Sequence, residues 1–159
     1  NTEKLNWLNI HYIKLADLTE LAKDIAARLA QQGVHVTATP NLTDAISLYR
    51  DRANTLNELA QSVAYFYSKP QVDAEAKAKH VTEDILSVLA GLTAQLAEVE
   101  WTTEAIHALI AQTVASHALK FPKVAMPLRV LITGGAQSPS IDAIMAILGR
   151  DETIARLSS

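Results

Sequence analysis

KFPKVAMPLRVLITGGAQSPSIDAIMAILGRDETIARL, residues 120–157, is the stretch on which the fold turns, because its middle supports two incompatible structures. V-L-I-T-G-G-A over residues 130–136 has the composition of the strand and glycine turn that open a nicotinamide-binding fold, where backbone N–H groups and a helix N-terminus hold a pyrophosphate. That fingerprint then requires glycines at 138 and 140, and Ser138 and Ser140 stand there. The residues that follow are also too few for one βαβ unit of about 30 residues. The other structure is a helix over residues 123–132 that stops at Gly134-Gly135, a C-cap that needs positive φ. Pro127 must then begin or bend this helix, since a ring in a helix interior removes a hydrogen bond. Just beyond, Ser140 or Asp142 caps a helix whose Ile141, Ile144, Met145 and Leu148 face inward, and Gly149 ends it.

Working outward, the rest of the chain is patterned at helical spacing. Leu18, Leu21, Ala22, Ile25 and Leu29 form one face of a helix over residues 17–32, opened by Asp17 and Glu20 and stopped by Gly33. V-H-V-T-A-T-P alternates as a strand would, but has no partner run and ends in Pro40, so it reads as an extended loop. Asn41 or Thr43 caps a helix that runs to about residue 53. Thr55 and Glu58 make a capping box for the next, whose face is Leu56, Leu59, Ala60, Val63 and Tyr67. Ser68-Lys69-Pro70-Gln71 is the best internal boundary. Past a short helix around residues 73–80, two long helices over residues 82–99 and 102–118 place Ile85, Leu86, Leu89, Leu92 and Leu96 against Ile106, Leu109, Ile110 and Val114. The expected fold is all-α and multihelical, in two small helical subdomains, 1–69 and 70–159.

At 159 residues with 49% apolar and 19% charged content, the chain has the make-up of a soluble globular protein with a real core. It has no cysteine, which excludes disulfides and thiolate metal sites and fits a reducing compartment, so the cytoplasm is the expected location. No leader-like segment and no run of about 18 apolar residues is present, and no membrane role is expected. The opening Asn1-Thr2-Glu3 lacks an initiator Met, and we expect a piece of something longer. Net charge is −3, against an unaided, nonspecific nucleic-acid binder. The distribution qualifies this. Residues 81–119 hold five acids and no Lys or Arg, whereas residues 120–159 hold five basic residues and three acids, so an acidic helical layer leads into a mildly basic end.

Little here supports catalysis. His11, His35, His80, His107 and His117 form neither an i, i+4 pair nor an H-E-x-x-H arrangement, and neither a G-x-S-x-G elbow nor a P-loop occurs. We expect no catalytic residue, no metal ligand and no cofactor in this segment.

Two blocks in order, L-Y-R-D-R-A-N-T-L-N-E-L-A-Q-S-V-A-Y-F-Y over residues 48–67 and the region 126–157 with its P-L-R-V and Ser-Pro elements, resemble the anticodon-reading end of bacterial glutamyl-tRNA synthetases. The likeness is weaker over residues 70–119, and Phe121-Pro122 stands where that family more often has a glycine turn. K-L-N-W-L-N-I-H-Y-I-K looks like the segment after the family's catalytic body, with Leu5, Trp7, Leu8 and Tyr12 expected to pack beneath the next helices. The resemblance implies a parent enzyme, glutamate–tRNA ligase, that uses ATP and magnesium in an N-terminal catalytic domain of the same chain. The H-x-G-H and K-M-S-K-type signatures of that chemistry are missing here. It implies tRNA(Glu) as partner and a monomer.

The resemblance also implies roles. Arg129, Ser138, Pro139 and Ile141 would line the pocket for the first and middle anticodon bases, which are single-stranded and readable on their Watson–Crick edges. Otherwise, Arg129 is a solvated arginine beside an ordinary loop. Arg52 would read the third base. A guanidinium offers only donors, cytosine offers O2 and N3 as acceptors, and the guanine of glutamine tRNAs presents its own N1–H. The plain alternative is an ion pair of Arg52 with Asp51 or Glu58. Arg50, Lys120 and Lys123 are candidates for phosphate contacts, weighed equally with solvated surface. Tyr65, Phe66 and Tyr67 are better placed as core than as stacking platforms, since three neighbours on a helix cannot share one direction. The competing function is a helical protein-interaction module without nucleic-acid binding.

Overall fold

Helix caps and buried stripes account for most of the architecture. The computed structural model describes the backbone of residues 2–158 and the side chains of residues 9–158. The expected packing of Leu5, Trp7 and Leu8 lies outside the described side chains. The chain divides into two compact units, Asn1–Lys69 and Pro70–Ser159. Every element among the described residues is helical.

The first unit begins with α1 (Thr2–Leu15) and α2 (Leu18–Gln31). In α1 it is Ile13 that is fully buried, while Tyr12, expected in the core, is 42% exposed. Asp17 caps α2 by accepting from the N–H groups of Thr19 and Glu20, and Leu21, Ile25 and Leu29 are buried at the expected spacing. Residues 33–40 form no regular element, as the Pro-terminated loop predicts. Asn41 caps α3 (Leu42–Tyr49), which ends four residues sooner than expected. Thr55 caps α4 (Leu56–Val63), its hydroxyl accepting from Glu58 N–H, while the Glu58 carboxylate accepts from Asn54 N–H one residue outside the usual box. A 3-10 turn over Ala64–Phe66 follows. α2, α3 and α4 pack on one another, with Ile46, Leu59, Ala60 and Val63 sealed between them.

The second unit contains α5 (Ala74–His80), α6 (Glu83–Leu96), α7 (Thr103–Ser116), α8 (Phe121–Thr133), α9 (Ile141–Leu148) and α10 (Arg150–Ser158). The core is not simply α6 against α7. α8 packs on all five other helices of the unit, and Val124, Ala125, Leu128, Val130 and Ile132 are essentially inaccessible. Each fully buried branched side chain of this kind contributes about 1.5–3 kcal/mol. α8 starts at Phe121 and not at Pro127. Pro122 sits in the first turn, where a missing N–H costs nothing, and the helix continues through Pro127, whose ring is buried. On α6 the inward stripe is Ile85, Val88, Leu89, Leu92 and Leu96; Leu86, expected inside, is 51% exposed. The helix expected at residues 141–148 forms, but Ser140 makes no side-chain cap. Past Gly149 the chain resumes as α10, whose buried residues are polar, Thr153 and Arg156. Arg156 donates from Nε to Glu152 Oε1 at 2.9 Å and from Nη1 to the Ile132 carbonyl at 2.8 Å, tying α10 to the last turn of α8.

Candidate nucleic-acid interface

The Gly-Gly pair is a helix end. Gly134 has φ +93, its N–H donates to the Val130 carbonyl at 2.9 Å, and its carbonyl accepts from Asp73 N–H at 2.8 Å. A Cβ there would lie 2.9 Å from the Gln71 carbonyl oxygen, so only glycine fits. No strand precedes it, and the dinucleotide reading is excluded for this segment. Thr133 binds the helix to its loop, with its Oγ1 2.8 Å from the Arg129 carbonyl and 3.1 Å from that of Gly135.

On this frame α8 presents Arg129, partly buried, toward the loop that begins at Gly135. Arg129 Nε donates to Ser138 Oγ at 3.1 Å, and Ser138 Oγ donates on to the Pro139 carbonyl at 2.8 Å. Nη1 donates to Met126 Sδ at 3.5 Å, one turn earlier on α8. Nη2 has no partner among the described residues, and no acid pairs with the group. The guanidinium is therefore aimed by neutral contacts on one edge and keeps its charge and its remaining donors for something else. Arg129, Ser138 and Pro139 are brought together. The Pro139 carbonyl accepts from the Ser138 hydroxyl, which leaves it one lone pair. Ile141 does not join them: at 1% exposure its side chain is core, since the first residue of α9 points into the unit.

In the first unit, Arg50 and Arg52 part company. Arg50 donates from Nε and Nη2 to the Ile13 carbonyl at 2.9 and 2.7 Å, and from Nη2 to the Ala16 carbonyl at 2.8 Å. It satisfies the open carbonyls at the end of α1, where a positive charge also meets the negative end of the helix dipole. Its candidacy for a phosphate contact is withdrawn. Arg52, two residues on in the turn after α3, is exposed and has no hydrogen bond or ion pair through its side chain among the described residues. The alternative pairing with Asp51 or Glu58 does not form. Tyr49 lies within its field: burial raises the phenol's pKa, while the bond to Tyr65 and the Arg52 charge pull it back.

The aromatic cluster is structural. Tyr65 and Phe66 are buried with rings stacked 4.4 Å apart, and Tyr49 and Tyr65 share a hydroxyl contact of 3.0 Å. Tyr67 donates to the Pro40 carbonyl at 2.6 Å. Lys120 and Lys123 are exposed at the start of α8. Sequence reasoning missed Met126 and Thr133. Their signal is positional, three residues before and four after Arg129 on one helix, where side chains and carbonyls meet.

The likeness to known proteins is consistent along the chain. It is 55% identical over 159 residues to the glutamate–tRNA ligase of Methylobacillus flagellatus and 48% identical over 159 residues to that of Dechloromonas aromatica, covering all of this chain and 34% of each relative. The chain thus spans about a third of the length of these curated relatives. Among solved structures, the glutamate tRNA ligase from Elizabethkingia meningosepticum in complex with its amino acid superposes with a TM-score of 0.89 at 24% identity, over 99% of this chain and 32% of that one, a match of fold. No helix among the described residues is long and apolar enough to cross a membrane. Residues 17–159 match the model of the anticodon binding domain, and the chain belongs to that family.

Proposed function

We propose that this chain is the anticodon-reading part of a glutamate–tRNA ligase and that its ligand is the anticodon loop of tRNA(Glu). The observation that carries the reading is Arg129, held at one edge by Ser138 and Met126 with no acid beside it. A planar fork fixed in this way suits acceptors on unpaired bases better than a mobile ammonium does. Arg129 with Ser138 and Pro139 takes the first and middle bases, and exposed Arg52 takes the third, a cytosine. Lys120 and Lys123 add phosphate contacts, which supply affinity without sequence information. The joining of glutamate to tRNA, with ATP and magnesium, belongs to a catalytic part N-terminal to this segment in the same polypeptide, in a monomeric, cytoplasmic enzyme. What supports this beyond the arginines is the match of the whole chain to 34% of two ligases.

The test is a fluorescence titration of the 159-residue chain with hairpin RNAs carrying the glutamate anticodon or a swapped one. The matched loop should bind more tightly, and Arg129→Lys, which keeps the charge and loses the fork, should erase most of the difference. Equal affinity for both loops in the wild type favours the protein-interaction alternative.

A further inference from the structure

The unit Pro70–Ser159 has a second feature beside Arg129, of which the assignments above use Lys123 alone. The end of α5 and the first half of α8 enclose a groove of about 230 Å3 lined by Lys79, His80, Pro122, Lys123, Met126 and Pro127. Small-molecule sites run to roughly 300–1,000 Å3, so this one suits a single base or phosphate group better than a complete metabolite. Its chemistry is mixed. Lys79 and Lys123 are exposed, and neither forms an ion pair among the described residues. Asp84 is the acid that feels Lys123, and its carboxylate is held low chiefly by the Thr82 hydroxyl, then by its own backbone N–H, and less by that lysine. Pro122, Met126 and Pro127 give apolar wall, and the His80 ring adds a flat face. Because Pro127 has no N–H, the carbonyl of Lys123 lacks the helical partner four residues on.

Cations for a phosphate and flat or apolar surface for a base are what single-stranded nucleic-acid sites combine. Continuity with the arginine comes through Met126, which lines the groove and whose sulfur takes the Arg129 Nη1–H at 3.5 Å. An occupant of the groove is therefore one side chain away from whatever Arg129 holds. Resting on the anticodon reading above, we propose that this groove seats the neighbouring nucleotide of the loop, its phosphate between Lys79 and Lys123 and its base against Met126 and Pro127. The RNA path thus runs along α8 from its first turn to the Ser138 loop, and Lys79 and His80 of α5 form its far wall.

The experiment measures binding of the 159-residue chain to the glutamate-anticodon hairpin at several salt concentrations. Each phosphate contact contributes about 0.7 to the slope of log K against log salt for single strands. The double variant Lys79→Ala, Lys123→Ala should lower that slope by about 0.7, the one phosphate the pair holds, the Lys→Arg pair should keep it, and Lys23→Ala, on α2, should leave it unchanged. Thermal melting of all the variants should coincide, since both groove lysines are exposed. A slope unaltered in the double alanine variant, with anticodon preference intact in the wild type, overturns the groove and leaves the anticodon reading standing. A wild type that shows no anticodon preference overturns both.

Discussion

Gly134→Ala should destabilise the second unit by about 2–3 kcal/mol, whereas Gly135→Ala, one residue on, should be neutral or slightly stabilising. Gly134 has φ +93, and a side chain in the left-handed region costs about 1–2 kcal/mol. The added methyl would stand 2.9 Å from the Gln71 carbonyl oxygen and 3.1 Å from Pro70 Cβ. Neither is the end of a flexible side chain, so residues 70–73 must move. That displacement loosens the 2.8 Å bond from Asp73 N–H to the Gly134 carbonyl, worth about 0.5–1.5 kcal/mol. Gly135 lacks positive φ, and a Cβ there meets nothing within 4 Å. Its replacement removes only unfolded-state freedom, a gain of up to about 1 kcal/mol. Urea unfolding of the two variants beside the wild type is the assay. Equal effects, or a loss below about 0.5 kcal/mol at Gly134, refute the reasoning that this glycine pair is a helix cap closed against the 70–73 segment.

Other consequences are as direct. Arg50→Met should cost about 1.5–3 kcal/mol in chemical denaturation, the range for hydrogen bonds to a charged group, and leave the salt slope of RNA binding unaltered, because its donors serve α1. Leu86→Gln should change stability by less than about 0.5 kcal/mol, while Leu92→Ala, at 1% exposure, should cost about 2–5 kcal/mol, as read from thermal melts. Tyr67 is pushed up to about 12, first by burial and then by the charge of Asp44. The folded chain keeps that proton where the unfolded chain, near 10.0, has released it, so stability falls as pH rises from about 10 to 12. Tyr67→Phe should cost about 1 kcal/mol at pH 8 through the lost bond to Pro40, and its deficit against the wild type should shrink above pH 11 in urea unfolding followed across pH.

Much of the fold is legible where a local rule acts alone. Asp17, Asn41, Thr55 and Thr102 cap the helices that follow them, because a short polar side chain ahead of an apolar-periodic run has one favourable use. Failures occur where partners from distant sequence decide. Leu86 and Val88 both fit a helical stripe, and the partners that cover α6 select Val88. α10 has no apolar signature, since the residues it buries are Thr153 and Arg156, the latter bonded to the end of α8. The candidate site divides in the same way. Arg50 and Arg52 are alike in sequence, yet the turn after α3 sends one to the carbonyls of Ile13 and Ala16 and leaves the other in solvent. Ile141 reads equally well as pocket or core, and only the register of α9 separates the two.

The most direct measurement is a four-way binding cycle of wild type and Arg52→Gln against glutamate-anticodon loops with cytosine or guanine at the third position. The wild type should prefer cytosine by about 1–3 kcal/mol, roughly 5–150-fold, and the variant should lose most of that preference while keeping its salt dependence nearly intact. An undiminished cytosine preference in Arg52→Gln, or none in the wild type, contradicts the role given to Arg52.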